Sequence, residues 1–315
     1  MIKVFFKHKL FNDLIYGTIR HIYPEIMSNL ALNDALNLFT DTLKKKGKSI
    51  NTIVAYKGDI NQLTIFLAKK QINTVEAIQL KEIEDFKKDL TENGYTAKSV
   101  SRKLNSIKNF FSFLKDEGKI SIDPSGDVKH PKYENDIPKI LKPIEYRSLR
   151  DACRNDIRAS AIVELMLQAG LRIKEIENLK MEDVKENGIM IESYESHPSR
   201  EVPLNNSAKI ALKKYLDEVR ADNSKNKNVF ITKTGRVLLA RNIRSLLNRY
   251  FNRADIKGIK VNDLRNTFIV FQLKAGVPLD VVSQVVGHKR ISTTEKYLEL
   301  IDSKEESRGI KLKEL

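Results

Sequence analysis

A break rich in glycine and proline divides this chain into two helical parts. The break spans residues 118–139, holds few large apolar side chains, and contains Gly118, Pro124, Gly126, Pro131 and Pro138. Glycine and proline interrupt regular structure, so this stretch is predicted to be a linker. A length of 315 residues is long for one compact domain and sufficient for two. The sequence therefore predicts two domains, residues 28–117 and residues 140–300.

The N-terminal part is predicted to consist of amphipathic helices. Its last helix, TAKSVSRKLNSIKNFFSFLKDEG, carries an apolar stripe at helical spacing, formed by Val100, Leu104, Ile107, Phe111 and Leu114. The basic side chains fall mostly off that stripe, and they are Lys98, Arg102, Lys103 and Lys108. A basic face opposite a buried face suits a helix that lies on DNA, although an ordinary solvated face has the same pattern. These four residues are the predicted DNA contacts of the N-terminal domain.

The C-terminal part combines helices with two or three short strands. Helical patterns are predicted near 143–154, 156–169, from Arg172, and near 207–220, 240–253, 263–275, 278–286 and 292–300. IMIES and REVPL flank a polar turn and predict a small antiparallel sheet, with NVFIT as another candidate strand. The fold class is thus mainly α, with a mixed α+β C-terminal domain. Residues 1–27 form a predicted extension in which Met27 is an alternative start, and residues 301–315 form a polar tail.

Charge and cysteine content narrow the classes of function. The formal net charge is +15, which favours a polyanionic partner such as DNA, although it also suits simple solubility. The single cysteine, Cys153, excludes a disulfide framework and a cysteine-built zinc site, and fits a cytoplasmic location. Because no apolar run reaches the roughly 20 residues that span a bilayer, no membrane partner is expected.

Four short segments contain residues suited to breaking a DNA strand without a metal. They are AGLRIKEI with Arg172, NDLRNTF with Arg265, VGHK with His288, and TTEKY with Tyr297. Arginine forks match the geometry of phosphate and stabilise its developing charge. A histidine can assist proton transfer, and a tyrosine nucleophile conserves the energy of the broken bond in a phosphotyrosine link. Each segment is weak evidence alone, but their order and spacing together are specific.

The four segments resemble the conserved boxes of the tyrosine recombinases, the phage-integrase family, and are similar to its Xer-type members. The resemblance covers roughly residues 28–300 and implies a helical, SAM-like core-binding domain that clamps DNA, followed by a catalytic domain. It implies that Arg172 and Arg265 bind the scissile phosphate, that His288 assists, and that Tyr297 is the nucleophile. It further implies no metal and no cofactor. The implied partners are duplex DNA with inverted half-sites and a homotetramer, or a paralogous recombinase, acting through a Holliday junction.

Two positions depart from the family pattern. Asn262 stands where the second arginine box begins with histidine, and asparagine can bind phosphate but cannot titrate. Glu195 stands at the position of the hairpin lysine that protonates the leaving oxygen, and His197 is the candidate substitute acid. Three alternatives stay open: an accessory subunit that binds DNA but cleaves poorly, a type IB topoisomerase, and a DNA-binding regulator without enzymatic activity.

Overall fold

A computed structural model describes residues 30–134, 137–194, 197–220 and 225–301 of the chain. Three predicted features lie outside these residues: the N-terminal extension with Met27, the hairpin residue Glu195, and the tail beyond Ile301. The chain divides after Glu134 into two compact units. Each unit has its own cluster of buried apolar side chains, as expected for separately packed domains.

The N-terminal unit contains four α-helices: α1 (Leu32–Lys45), α2 (Ile50–Lys69), α3 (Leu80–Glu92) and α4 (Ala97–Asp116). Ser49 and Thr96 are the N-cap residues of α2 and α4, and each side chain accepts a hydrogen bond from the backbone N–H three residues later. The apolar stripe predicted on α4 is at most 1 % exposed along its whole length. None of the helices in the described residues is both long and apolar enough to cross a bilayer.

Some residues of the predicted linker, and Leu141 just after it, are buried in the cores of the units. Ile120 and Val128 are buried in the N-terminal core, and the Ser125 N–H and hydroxyl both bind the Asp123 carboxylate in a tight turn. Leu141 is buried in the C-terminal core, and its N–H donates to the Thr267 hydroxyl. Other apolar residues of this glycine- and proline-rich stretch are exposed, among them Ile122, Tyr133 and Ile137, so the stretch is only partly packed.

The C-terminal unit is mainly helical with one small sheet. Its helices are α5 (Pro143–Cys153), α6 (Ile157–Gln168), α7 (Ile173–Asn178), α8 (Asn206–Glu218), α9 (Ala240–Arg253), α10 (Val261–Lys274), α11 (Leu279–Val286) and α12 (Ser292–Glu295). Strands β1 (Gly188–Ile191) and β2 (Arg200–Pro203) pair antiparallel, with Gly188 opposite Pro203 and Ile191 opposite Arg200. This arrangement confirms the predicted fold class.

Two predicted elements differ from the structure. NVFIT does not form a strand: Asn228 and Ile231 make only isolated bridges, to Lys180 and Val237, because the chain turns back after Ile231 instead of pairing further. The helix predicted over 292–300 is interrupted: α12 ends at Glu295, residues 296–298 form a turn, and helix resumes at residue 299. In that turn the Tyr297 N–H donates to Thr294 O and the Leu300 N–H donates to Tyr297 O, so the chain winds more tightly than an α-helix.

Candidate active site

Arg172 lies at the start of α7, where a buried carboxylate fixes it. Its backbone N–H and its Nη1 both donate to Glu175, each at 2.8 Å, and its Nη2 donates to Gly287 O at 2.8 Å. The side chain keeps 19 % of its surface exposed. The guanidinium is thus held from behind by acceptors while part of it still faces solvent, which suits the binding of an external anion.

Arg265 lies on α10 and is almost completely buried, with 3 % of its surface exposed. Its two Nη atoms donate to Gly170 O and Val286 O. Gly170 has φ +63°, and a Cβ there would lie 2.5 Å from the Phe268 ring, so only glycine allows this approach. Burial, together with the charge of Arg172, lowers the pKa of Arg265; an anionic phosphate nearby would oppose that effect.

Arg200, the first residue of β2, is a third arginine of the site, and the sequence motifs did not indicate it. Its Nη1 and Nη2 donate to the two oxygens of Glu175 at 2.9 Å, and its Nε donates to Val285 O at 2.8 Å. Burial alone would raise the pKa of Glu175, but Arg200 and then Arg172 lower it to about 2. The one sequence feature that could have indicated Arg200 is its position as a basic residue at the start of the predicted strand REVPL.

The C-terminal end of α11 holds all three arginines. The carbonyls of Val285, Val286 and Gly287 accept from Arg200, Arg265 and Arg172 respectively. The last carbonyls of a helix lack intrahelical partners and carry the negative end of the helix dipole, so cations are favoured there. Gly287 ends the helix at φ +65°, and a Cβ at this position would lie 3.0 Å from the Arg200 guanidinium. The helix end at Gly287, within the sequence motif, therefore assembles the cationic site.

His288 follows this helix end and is neutral at physiological pH. Its Nδ1 and the Thr294 hydroxyl are 2.8 Å apart, and its ring lies nearly parallel to the Tyr297 ring with the centroids 6.2 Å apart. Burial lowers the pKa of His288 to about 4, with further contributions from Arg265, Arg172 and Arg200. A neutral imidazole in this position can accept a proton or hydrogen-bond a phosphate oxygen.

Tyr297 is 8 % exposed, and its phenol donates to Asn266 Oδ1 at 2.8 Å. Burial raises the pKa of Tyr297, and the positive charges of Arg265 and Arg172 partly oppose the rise. Tyr297 binds the residue after Arg265 and lies beside the His288 ring, and Arg172 binds Gly287, the residue before His288. The structure therefore brings the four sequence-predicted residues Arg172, Arg265, His288 and Tyr297 into one site.

Asn262 and His197, two of the other candidates, occupy different surroundings. Asn262 is exposed at the start of α10, and its Nδ2 donates to Asn266 Oδ1 at 3.3 Å. His197 exchanges backbone hydrogen bonds with Tyr194 at the end of the β1–β2 hairpin, and the two rings lie 5.0 Å apart. The Tyr194 hydroxyl in turn donates to Glu175. Glu195 lies outside the described residues, so its side chain has no structural assignment.

Family comparisons agree with this geometry. Residues 135–304 match the model of the phage integrase family, and residues 36–118 match that of the phage integrase N-terminal SAM-like domain. A tyrosine recombinase of Thermosipho africanus is 30 % identical over 283 residues, covering 86 % of this chain and 96 % of the relative. The tyrosine recombinase XerC of Roseiflexus castenholzii is 29 % identical, covering 85 % of this chain and 90 % of the relative. The chain belongs to the phage integrase family.

Solved integrase structures share this fold. A lambda integrase tetramer bound to a Holliday junction shares the fold with a TM-score of 0.70 at 16 % identity, covering 89 % of this chain and 87 % of that one. Within the phage integrase family the chain is Xer-like, as its resemblance to tyrosine recombinases predicted. The comparisons support site-specific recombination as its activity.

The α4 residues that were predicted to contact DNA form interactions within the N-terminal unit. Lys103 is 8 % exposed, and its Nζ donates to Asp59 at 3.0 Å, so it is not presented on the surface. Arg102 donates to both oxygens of Asp59 while its side chain stays 54 % exposed. Lys108 donates to Gly126 O, and Lys98 also has an interaction within the chain. The buried carboxylate of Asp59 is the physical reason that Lys103 turns inward.

Proposed function

We propose that this protein is a site-specific DNA recombinase that cuts and rejoins strands through a 3′-phosphotyrosine at Tyr297. The observation that carries the proposal is the arrangement around the end of α11. There Arg172 and Arg200 share one carboxylate, Glu175, and Arg265 binds Val286 O, beside a neutral histidine and a tyrosine. The excess positive charge suits one phosphodiester, and the groups needed for its transesterification are adjacent.

The chemistry follows from these groups. Arg172 and Arg265 bind the non-bridging oxygens of the scissile phosphate, and the phenol oxygen of Tyr297 attacks phosphorus. The bond from phosphorus to the 5′ oxygen breaks, the phenol loses its proton to the neutral His288 or to water, and the 5′ oxygen gains a proton. Attack of a 5′ hydroxyl on the phosphotyrosine reverses the step, so the strand is resealed without an external energy source. Neither a metal nor a cofactor has a role in this scheme.

The DNA partner is proposed from charge and from the solved integrase. A net charge of +15 favours contact with many phosphates. The lambda integrase structure is a tetramer on a Holliday junction, and we extend that arrangement to this chain: four protomers on two duplexes with inverted half-sites. A homotetramer or a pair with a paralogous recombinase satisfies the same geometry. A full-site duplex should therefore give a higher-order complex in light scattering, whereas a half-site duplex should give one bound protomer.

A nicked suicide duplex tests the nucleophile directly. Wild-type protein should form a covalent adduct that survives denaturing electrophoresis. Tyr297→Phe, which removes only the attacking oxygen, should bind the duplex and form none. Tyr250→Phe is the matched control, since it removes another buried phenol, which bonds Asp156. An adduct that persists in Tyr297→Phe would contradict the assignment.

The second candidate is an accessory subunit with weakened cleavage, favoured by the exposed amide of Asn262 and by Glu195 at the position of the usual lysine. It predicts sequence-selective binding with an adduct that forms only slowly. Selection of bound DNA from a random pool, followed by the adduct assay on the selected sequence, separates the two functions. It also identifies a regulator, which binds but never cleaves.

A further inference from the structure

Asn266 lies next to Arg265 on α10 and has no role in the chemistry above. Its side chain is 6 % exposed, and its Oδ1 accepts the Tyr297 phenol. We infer that Asn266 is a positioning residue for strand cleavage: its amide holds the Tyr297 phenol in a buried resting position in the DNA-free protein and releases it before attack. This inference rests on the proposed function, because it takes Tyr297 as the nucleophile.

Two acceptors fix the orientation of the Asn266 amide. Its Nδ2 donates to Asp263 Oδ1 at 3.0 Å and to Lys139 O at 3.1 Å, and neither group can donate in return. Asp263 is itself held by the Lys260 N–H at 2.7 Å. A flipped amide would direct its oxygen at two oxygen acceptors and would lose both bonds. Oδ1 therefore faces Tyr297, and the phenol must be the donor.

The contact keeps the nucleophile protonated and out of reach. An amide oxygen does not accept a proton at physiological pH, so Asn266 stabilises the neutral phenol and cannot activate it. Both residues are more than nine-tenths buried, whereas Arg172, the more exposed phosphate ligand, reaches solvent. In this position the phenol oxygen faces Asn266 inside the protein, whereas a phosphodiester would reach Arg172 from solvent. The phenol must leave this position before it can attack.

Asn266 loses little hydrogen bonding when the Tyr297 phenol leaves. The exposed amide of Asn262, one turn earlier on α10, already lies 3.3 Å from the same Oδ1. When the phenol leaves, Oδ1 keeps this donor, so no buried acceptor is left unsatisfied. The turn that carries Tyr297 contains i to i+3 backbone hydrogen bonds, and it can rotate the side chain without unwinding a long helix.

The first experiment measures the pKa of the Tyr297 phenol in the absence of DNA. The protein is labelled with 3-fluorotyrosine, and the Tyr297 signal among the 10 tyrosines is assigned by its loss in Tyr297→Phe. Asn266→Leu keeps the volume of the side chain and removes the acceptor. It should lower the pKa of the labelled Tyr297 by about half to one unit, the value of one hydrogen bond.

Thr267→Val is the matched control for the first experiment. Thr267 is the next residue on α10 and accepts the Leu141 N–H, so its loss also loosens α10 from residues 139–141 but does not touch Tyr297. This variant should leave the Tyr297 titration at the wild-type value. A Tyr297 titration in folded Asn266→Leu that equals that of the wild type overturns the inference.

The second experiment measures the initial rate of adduct formation on the suicide duplex. Asn266→Leu should react about 3- to 10-fold faster than wild type, because one hydrogen bond no longer holds the resting phenol. Thr267→Val should react at the wild-type rate. An equal or slower rate in folded Asn266→Leu overturns the inference. A wild-type protein that forms no adduct counts against the proposed function instead, and the fluorine titration still reports on the contact.

A measurement on the wild-type chain covers the case in which Asn266→Leu does not fold. Binding of an intact half-site duplex should move the fluorine signal of Tyr297 towards that of an exposed tyrosine such as Tyr133, which is 44 % exposed. A Tyr297 signal that keeps its buried position and its titration in a complex competent for cleavage overturns the inference.

Discussion

Arg200 and Glu175 form a two-fold hydrogen-bonded ion pair in which both N–O distances are 2.9 Å and both side chains are at most 7 % exposed. The same carboxylate binds Arg172. A single buried charge therefore sets the positions of two arginines, one from the start of α7 and one from β2. Planar guanidinium groups suit this use, because each presents fixed donors that match the two carboxylate oxygens.

Loss of Arg200 should destabilise the C-terminal unit and slow cleavage. Arg200→Ala leaves Glu175 buried with one cation fewer, which typically costs about 3–5 kcal/mol of the free energy of unfolding. Lys174→Ala is the control: it breaks the Lys174–Glu177 pair on the same helix, where Lys174 is 45 % exposed, and should cost less than about 1 kcal/mol. Urea denaturation measures both. Equal losses in the two variants would contradict the central role of the Arg200–Glu175 pair.

The neutral state of His288 predicts a pH dependence of stability. Its pKa is about 4 in the folded protein and near the ordinary value of 6.5 in the unfolded chain. The unfolded chain binds a proton first as the pH falls, so the contribution of His288 is present above pH 6.5 and is lost between pH 6.5 and 4. As the pH falls from 7 to 4.5, the free energy of unfolding should decrease less for His288→Gln than for the wild type. Parallel curves for the two proteins would count against this assignment.

Asp59 should be the most important ion-pairing residue of the N-terminal unit. It is 3 % exposed and accepts from Arg102, Lys103 and Ser106. Asp59→Asn leaves the buried ammonium of Lys103 without its counter-charge and should cost about 3–5 kcal/mol of the free energy of unfolding. Asp85→Asn, which breaks an exposed pair with Lys70, should cost less than about 1 kcal/mol. The urea midpoints of the two variants should therefore differ clearly, and similar midpoints would refute the prediction.

The hairpin position of Glu195 predicts slow cleavage of an ordinary phosphodiester. A missing general acid slows departure of the 5′ oxygen by roughly 10²–10⁴, so Glu195→Lys should raise the rate of adduct formation. A duplex with a 5′-phosphorothiolate should narrow the difference between wild type and variant, because a thiolate leaves without a proton. If His197 is the substitute acid, His197→Ala should slow only the ordinary duplex. Rates that respond to neither change would place the acid elsewhere.

The positive charge of the chain predicts binding that weakens steeply with salt. Roughly 6–10 phosphate contacts would reduce the affinity for duplex DNA by about 10³–10⁵ between 50 and 200 mM salt. Arg102→Ala should reduce this salt dependence if its exposed guanidinium contacts phosphate, whereas Lys103→Ala, which alters a buried side chain, should change stability and not the salt dependence. Fluorescence anisotropy at several salt concentrations measures both.

The helices and the family could be predicted from the sequence because both depend on local patterns. The apolar stripe of α4 and the strands around Ile191 and Arg200 follow from spacing within a few residues, and the hydrogen bonds that form these elements join near neighbours. The motif segments likewise predicted that Arg172, Arg265, His288 and Tyr297 meet in one site. Their catalytic roles stay predictions, to be decided by the adduct assay.

The side-chain partners were decided only by the tertiary structure. Arg200 binds a carboxylate 25 residues earlier in the chain, and Tyr297 binds Asn266, 31 residues before it. Lys103 looks like a surface cation by spacing, yet it is buried because Asp59 lies opposite it, 44 residues away. A buried polar group must find its partner wherever packing brings one. Sequence periodicity determines which face of an element is apolar, but only the packing of distant elements determines which charges meet.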